Sequence, residues 1–260
     1  MGSLFDLSGK TAIVTGSTKG IGEATVKRLA EHGANVVVSS RKADACEAVA
    51  ADINENWAKS GNRAIAVPCN IAHKDELHHL VDTTNAEFGQ IDILVCNAAV
   101  NPYFGPSSDI PDEAFDKVMN VNIKSNHWLC HMVLPQMKER GDGAITIISS
   151  IGGMKGNEVL GAYNISKAAD FQIARNLACE YGRYGVRVNC VAPGLVQTYF
   201  ARALWENPDI LKASTSGSAL KRIGQPDEIA GAVVFLSSPA GAFCTGHGLV
   251  VDGGSTITGG

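Results

Sequence analysis

The stretch that decides the fold is Thr11-Ala12-Ile13-Val14-Thr15-Gly16-Ser17-Thr18-Lys19-Gly20-Ile21-Gly22. Its first five residues are apolar or β-branched and predict a short buried strand over 11–15. After the glycines, Ile21, Ala24, Thr25 and Leu29 share one helix face, and Gly33 closes the segment. Strand, glycine turn and helix in this order suit the pyrophosphate of a dinucleotide. Glycines let the backbone come close, and the first helical turn offers free N–H groups and a favourable dipole. The spacing is G-x-x-x-G-x-G, not the commoner G-x-G-x-x-G. A turn that only packs helix on strand would use the same glycines, so the flanking pattern is what favours the nucleotide. Gly16, Ser17, Thr18, Lys19, Gly20, Ile21 and Gly22 are therefore candidate cofactor contacts.

The next strand, 35–39, ends at Ser40-Arg41-Lys42. An acidic residue here would bond the adenosine ribose hydroxyls and select NAD. A hydroxyl followed by a guanidinium instead attracts a 2′-phosphate, which a carboxylate would repel. Ser40 and Arg41, with Lys19 as a second cation, point to NADP(H) rather than NAD(H).

Strands and helices go on alternating. Strands are expected at 64–67, 91–96, 144–149, 187–191 and 248–252, and helices at 43–60, 74–88, 111–138, 163–184 and 226–237. This order predicts an α/β fold, a doubly wound (Rossmann-type) parallel sheet with helices on both faces. Ligands bind beyond the carboxyl ends of such strands. The glycine turn, Ser40-Arg41, Asn97-Ala98-Ala99, Ser150 and Pro193-Gly194 each follow a strand and should share one rim. The small residues after the fourth strand leave room for a flat ring, and the Asn97 side chain can hold its own turn. Residues 199–224 are less regular and are the candidate substrate lid. No repeat or linker divides residues 1–260, so one domain is expected.

Composition removes several alternatives. The 260 residues are 45% hydrophobic and 18% charged, with a net charge of -4. That balance gives no electrostatic footprint for nucleic acid or an anionic membrane, and no apolar run is long enough to span one. Met1-Gly2-Ser3-Leu4-Phe5-Asp6 has neither a basic start nor an apolar signal core. The seven cysteines are scattered and odd in number, which reads as free thiols in a reducing compartment. A cytoplasmic protein is expected. His127 and His131 have helix-face spacing, but no further ligand pattern accompanies them, and no metal site is expected.

Chemistry enters with Tyr163-Asn164-Ile165-Ser166-Lys167. A tyrosine and a lysine four residues apart stand about one helical turn from each other. A free phenol, with a pKa near ~10, is a poor base at neutral pH. A nearby ammonium favours the phenolate and makes the pair a proton donor and acceptor for a carbonyl/alcohol couple.

Together, these motifs resemble the short-chain dehydrogenase/reductase family over nearly the whole chain. The likeness rests on Thr15 to Gly22, Asn97-Ala98-Ala99, Asn122, Ser150, Tyr163-x-x-x-Lys167 and Pro193-Gly194. It implies a seven-stranded sheet, a nicotinamide cofactor and hydride transfer to or from a carbonyl carbon. By resemblance, Ser150 would bond the substrate oxygen and Tyr163 would exchange its proton. Lys167 would bind the nicotinamide ribose, and Asn122 would hold a water in a relay. Asn70 and Ile71 after the third strand, and Val196 and Thr198 after Pro193-Gly194, are expected cofactor contacts. The family commonly has Asn-Asn-Ala-Gly where this chain has Cys96-Asn97-Ala98-Ala99, and Asn70 stands where many members have Asp. The resemblance also implies a homotetramer paired through the long helices beginning near Asn122 and Tyr163, with residues 250–254 at a second interface. The substrate expected is a small ketone or secondary alcohol. A 3-oxoacyl-thioester reductase acting on acyl-carrier-protein or CoA substrates is the alternative within the enzyme class. A non-catalytic NADP sensor is the alternative outside it, and such proteins tend to lose the Tyr or Lys retained here. Met154, Val159, Leu160, Tyr103, Phe104, Tyr199 and Phe200 are candidates for an apolar pocket.

Overall fold

The computed structural model describes residues 3–59 and 61–258. Met1 and Gly2 of the amino-terminal stretch, and Ser60 at the end of the helix expected over 43–60, lie outside the described residues.

Seven parallel strands form one sheet: β1 (Thr11–Thr15), β2 (Asn35–Ser39), β3 (Ala64–Ala66), β4 (Ile93–Cys96), β5 (Gly143–Ile148), β6 (Val186–Pro193) and β7 (Gly248–Val251). Their spatial order is β3-β2-β1-β4-β5-β6-β7. The order reverses between β1 and β4, and such a switch point opens a crevice at the carboxyl ends of the strands. Register fixes which side chains face which layer, because successive residues of a strand point to opposite faces. Ile13, Val37 and Leu94 join one core, and their neighbours Val14, Val38 and Val95 join the other.

Three helices cover the second core: α1 (Gly20–Glu31), α2 (Ala43–Asn56) and α8 (Pro226–Ser237), through residues such as Val26, Leu29, Ile53 and Val233. The first core is covered by α3 (Lys74–Phe88), α5 (Ser125–Arg140) and α6 (Gly161–Tyr181), through Leu77, Leu80, Val133, Phe171 and Leu177. Both faces are therefore buried, as a parallel sheet requires. The helix expected over 111–138 runs as α4 (Asp112–Val118), a π-helical segment Met119–Lys124 and then α5. The irregular stretch 199–224 contains a 3-10 turn, Arg202–Leu204, and a helix, α7 (Pro208–Ser216). Asn207 caps α7 by accepting from the backbone N–H groups of Asp209 and Ile210 at 2.9 and 3.3 Å, and Pro208 opens it. Both ends of the stretch are tied to each other. Gly224 N–H donates to the Leu195 carbonyl at 3.0 Å, and Gln197 N–H donates to the Gly224 carbonyl at 2.9 Å. No helix among the described residues is long and apolar enough to cross a membrane.

Candidate active site

The glycine turn leaves β1 at the switch point. Gly16 and Gly20 have φ of 67° and 58°, a left-handed backbone that side chains disfavour. A methyl group at Gly22 would run into the Gly16 carbonyl oxygen and the Asn97 amide nitrogen. One on Gly20 would stand 3.0 Å from Thr198 Cγ2. The turn is thus a tight backbone cradle. Lys19, the residue before α1, makes no side-chain cap, so the first N–H groups of the helix keep their positive end toward the rim. This arrangement fits a pyrophosphate.

Asn97 does not hold its own turn, as expected from sequence, but reaches across to the neighbouring strand. Its Nδ2 donates to the carbonyls of Thr15 and Gly16 at 2.9 and 3.1 Å. The Thr15 hydroxyl accepts from the N–H groups of Asn97 and Ala98 at 3.0 and 3.1 Å. The ends of β1 and β4 are therefore locked together, and sequence reasoning missed Thr15 as the partner. Buried Ser17 ties the same turn to β2, accepting from Ser39 N–H at 2.8 Å.

At the end of β2, Ser40 is half-buried and Arg41 is exposed. Arg41 makes no ion pair or side-chain hydrogen bond with a described residue. Lys19 is exposed, with its ammonium 5.1 Å from the centre of the Tyr199 ring. Asn70 is engaged locally: its Oδ1 accepts from Ala72 N–H at 3.3 Å and its own N–H donates to Glu76 at 2.6 Å. Ile71 is buried in the first core. Pro193 is the last residue of β6, and Gly194 N–H donates to the Val251 carbonyl at 3.0 Å. Val196 is buried, and the Thr198 carbonyl accepts from the Trp205 indole at 2.8 Å.

Ser150 follows β5, and its hydroxyl accepts from Gly152 N–H at 3.0 Å. Two bonds fasten this strand end to α6 at Lys167. Ser149 Oγ donates to the Lys167 carbonyl at 2.7 Å, and Lys167 Nζ donates to the Ile148 carbonyl at 2.8 Å. Ser150 is thereby brought near Tyr163, where its hydroxyl works to lower the phenol's pKa. The Tyr163 ring lies 5.9 Å from that of Phe200 and 5.7 Å from Lys167 Nζ, both measured to ring centres. Of the expected pocket residues, Phe104, Met154, Tyr199 and Phe200 expose large apolar surfaces, and Gly105 pairs with Leu160.

The ammonium of Lys167 is buried, and it also meets Asp170 Oδ2 at 3.1 Å. The expected lowering of the Tyr163 pKa is therefore outweighed in the cofactor-free protein. Burial raises it, Lys167 lowers it, Asp170 raises it again, and the net direction is upward. Burial also works against the Lys167 ammonium, but Asp170 and Tyr163 more than offset it, so that pKa too is raised.

Asn122 is buried in the π-helical segment. Its side chain clasps Val100, accepting from the N–H at 2.8 Å and donating to the carbonyl at 2.9 Å, and also donates to Ser166 Oγ at 3.0 Å. Its carbonyl accepts from Asn126 Nδ2 at 2.8 Å, and Asn126 Nδ2 also lies 3.2 Å from Asp170 Oδ1. Asn122 makes no hydrogen bond to Lys167; Asn126 and Asp170 link them. Sequence reasoning missed both. The available signal was spacing, since Asp170 falls three residues after Lys167 and seven after Tyr163 on one helix face.

A family model described as Enoyl-(Acyl carrier protein) reductase matches residues 16–256. Dehydrogenase/reductase SDR family member 4 of Bos taurus is 43% identical over 249 residues, covering 96% of this chain and 88% of the relative. The protein of that name from Homo sapiens is 38% identical with the same coverage. Among solved structures, a gluconate 5-dehydrogenase from Burkholderia cenocepacia, in complex with NADP and tartrate, has a TM-score of 0.91 and 30% identity, covering 98% of both chains. The family's members are oxidoreductases that bind a nicotinamide cofactor. With the sheet order, the glycine cradle and nearly full-length matches in hand, this chain belongs to the short-chain dehydrogenase/reductase family.

Proposed function

We propose that the protein is an NADP(H)-dependent oxidoreductase that interconverts a small ketone and its secondary alcohol, with Tyr163 as the general acid and base. The observation that carries this reading is the convergence of Ser150, Tyr163 and Lys167 around one half-buried phenol beside a glycine cradle. Gly16 to Gly22 and the open start of α1 would hold the pyrophosphate. Ser40, Arg41 and Lys19 would receive the 2′-phosphate. Asn70, Ile71, Asn97, Ala98, Ala99, Pro193, Gly194, Val196 and Thr198 would line the rest of the dinucleotide. The NADP in the Burkholderia cenocepacia relative supports the same cofactor here. When bound, the nicotinamide supplies or takes up the hydride.

In reduction, Tyr163 gives its phenolic proton to the substrate oxygen while the Ser150 hydroxyl bonds that oxygen. In oxidation, the phenolate takes the proton back. Two of the three N–H groups of Lys167 are committed to Ile148 and Asp170, which leaves one for a ribose hydroxyl. Asn122 supports the relay role through its carbonyl, reached from Lys167 by way of Asp170 and Asn126. A non-catalytic sensor needs none of these groups, so their joint presence favours turnover. Residues 199–224 act as the substrate lid on the one domain. The free cysteines fit a reducing compartment such as the cytoplasm. The test is a panel of ketones and secondary alcohols with NADPH, NADH and their oxidised forms, read by nicotinamide absorbance. Turnover of a ketone with NADPH is expected, and no turnover across the panel would reject the reading.

The same reading includes a homotetramer. Ile165 on α6 is exposed, and so are Phe243 and Ile257 on either side of β7. Large apolar side chains left exposed in this way are commonly covered by symmetric partners. Light scattering coupled to size exclusion should report about four chain masses. A monomer at micromolar concentration would refute this.

A further inference from the structure

Asp170 enters the mechanism above only as a link between Lys167 and Asn126, yet it is fully buried and two helical turns from Tyr163 along α6. Its carboxylate takes the Lys167 ammonium at 3.1 Å on one oxygen and the Asn126 amide at 3.2 Å on the other. The remaining titratable groups facing it from the packed elements are thiols: Cys96 at the end of β4 and Cys190 on β6, with Cys130 of α5 beside both. Burial pushes the Cys190 thiol up, and in Cys96 the neighbouring Cys130 thiol and then burial do the same, so both stay protonated. Among the described residues, the charged side chains acting on the Tyr163 phenol are therefore one cation, Lys167, and one anion, Asp170. Asn126 fixes the anion and is itself fixed by the Asn122 carbonyl at 2.8 Å, so the carboxylate cannot swing away without giving up its bonds to Asn126 and Lys167.

We propose that Asp170 is a positioning residue that offsets part of the field of Lys167 at Tyr163 and so, together with burial of the phenol, holds Tyr163 toward its proton-donor form. The proposal rests on the reading of Tyr163 as the acid and base. A lone Lys167 would favour the phenolate, which suits alcohol oxidation. The paired lysine still binds through its free N–H but gives the phenol a weaker net field than a lone lysine would. The consequence is a site that runs carbonyl reduction around neutrality and needs higher pH for oxidation. An isolated unit charge about two helical turns away, at an effective dielectric near 20, moves a titration by about one pH unit.

The test compares wild type with Asp170→Asn and with Asp170→Ser, which leaves a hydroxyl and room for water beside the ammonium. Two readouts are needed: the pH profile of kcat/KM for alcohol oxidation, and the titration of Tyr163 in cofactor-free protein by 13C-tyrosine NMR, assigned with Tyr163→Phe. In either variant the acid limb of oxidation and the phenol titration should both move down by about one pH unit. NADPH affinity, read by fluorescence, should change less than threefold. Unmoved profiles in a folded variant would make Asp170 merely structural and overturn the proposal, as would loss of the fold in both variants. If Tyr163→Phe keeps its turnover, the catalytic reading fails instead, while the phenol titration still reports whether Asp170 acts on Tyr163.

Discussion

Tyr163→Phe is expected to lower turnover by at least about 10²-fold while cofactor binding stays nearly unchanged. The substitution removes one oxygen and keeps the ring. Its packing 5.9 Å from Phe200 therefore survives, and α6 keeps its bonds to the end of β5 through Lys167. What disappears is the group that carries the proton. Ser150 cannot replace it, because an alcohol gives up its proton far less readily than a phenol. The raised pKa of the phenol adds a sign to the expectation. At neutral pH Tyr163 is protonated, so reduction should be the faster direction in wild type and the direction in which the loss is easiest to measure. Steady-state kcat in both directions, with NADPH affinity measured separately, decides the matter. A variant with near-normal kcat would remove Tyr163 from the chemistry.

Arg41→Ala should weaken NADPH by about 10–100-fold and leave NADH almost untouched. A charge-assisted hydrogen bond to a phosphate is worth roughly 1.5–3 kcal/mol, and each ~1.4 kcal/mol is a factor of about ten. Arg41 is exposed and has no described partner to give up, so the whole interaction is available to the ligand. Lys19→Ala should act in the same direction but less. Its ammonium makes a looser contact than a guanidinium fork and already sits 5.1 Å over the Tyr199 ring. The measurement is kcat/KM with both cofactors for wild type and each variant. Equal losses with NADH and NADPH would mean that Arg41 is structural, and a wild type that prefers NADH would reverse the cofactor assignment.

The sheet was legible in sequence because each strand is a short apolar run bounded by turn residues, and because the parallel order leaves little freedom once strands and helices alternate. The glycine turn was legible for a similar reason: only glycine allows the backbone at Gly16, Gly20 and Gly22 to close on Asn97 and Thr198. The π-helical segment Met119–Lys124 was not, since its wider winding accompanies the clasp between Asn122 and Val100, a tertiary contact with no local signature. Helix α7 was passed over within the less regular stretch 199–224, although Asn207 and Pro208 formed a start signal. Asp170 was passed over because an acidic residue in a helix normally faces water. Here its lysine partner goes into the core with it, so the pair reads as surface in sequence and is buried in the fold.

The proposed lid leaves the sheet and returns to it at one place, since the chain enters it at Leu195 and returns at Gly224 through mutual backbone bonds. A segment whose departure and return points coincide exerts almost no leverage on the sheet that carries it. Its length can change at small cost, because closing a longer loop adds only about 0.6 kcal/mol per doubling. The stretch 201–216, which leaves Thr198 against the glycine cradle, Phe200 on Tyr163 and the Leu220–Gly253 bond in place, is in effect an exchangeable cassette beside the reaction centre. Relatives of this chain could diverge in the substrates they accept by trading that cassette alone, with the strands, the glycine cradle and the proton-handling helix left as they are.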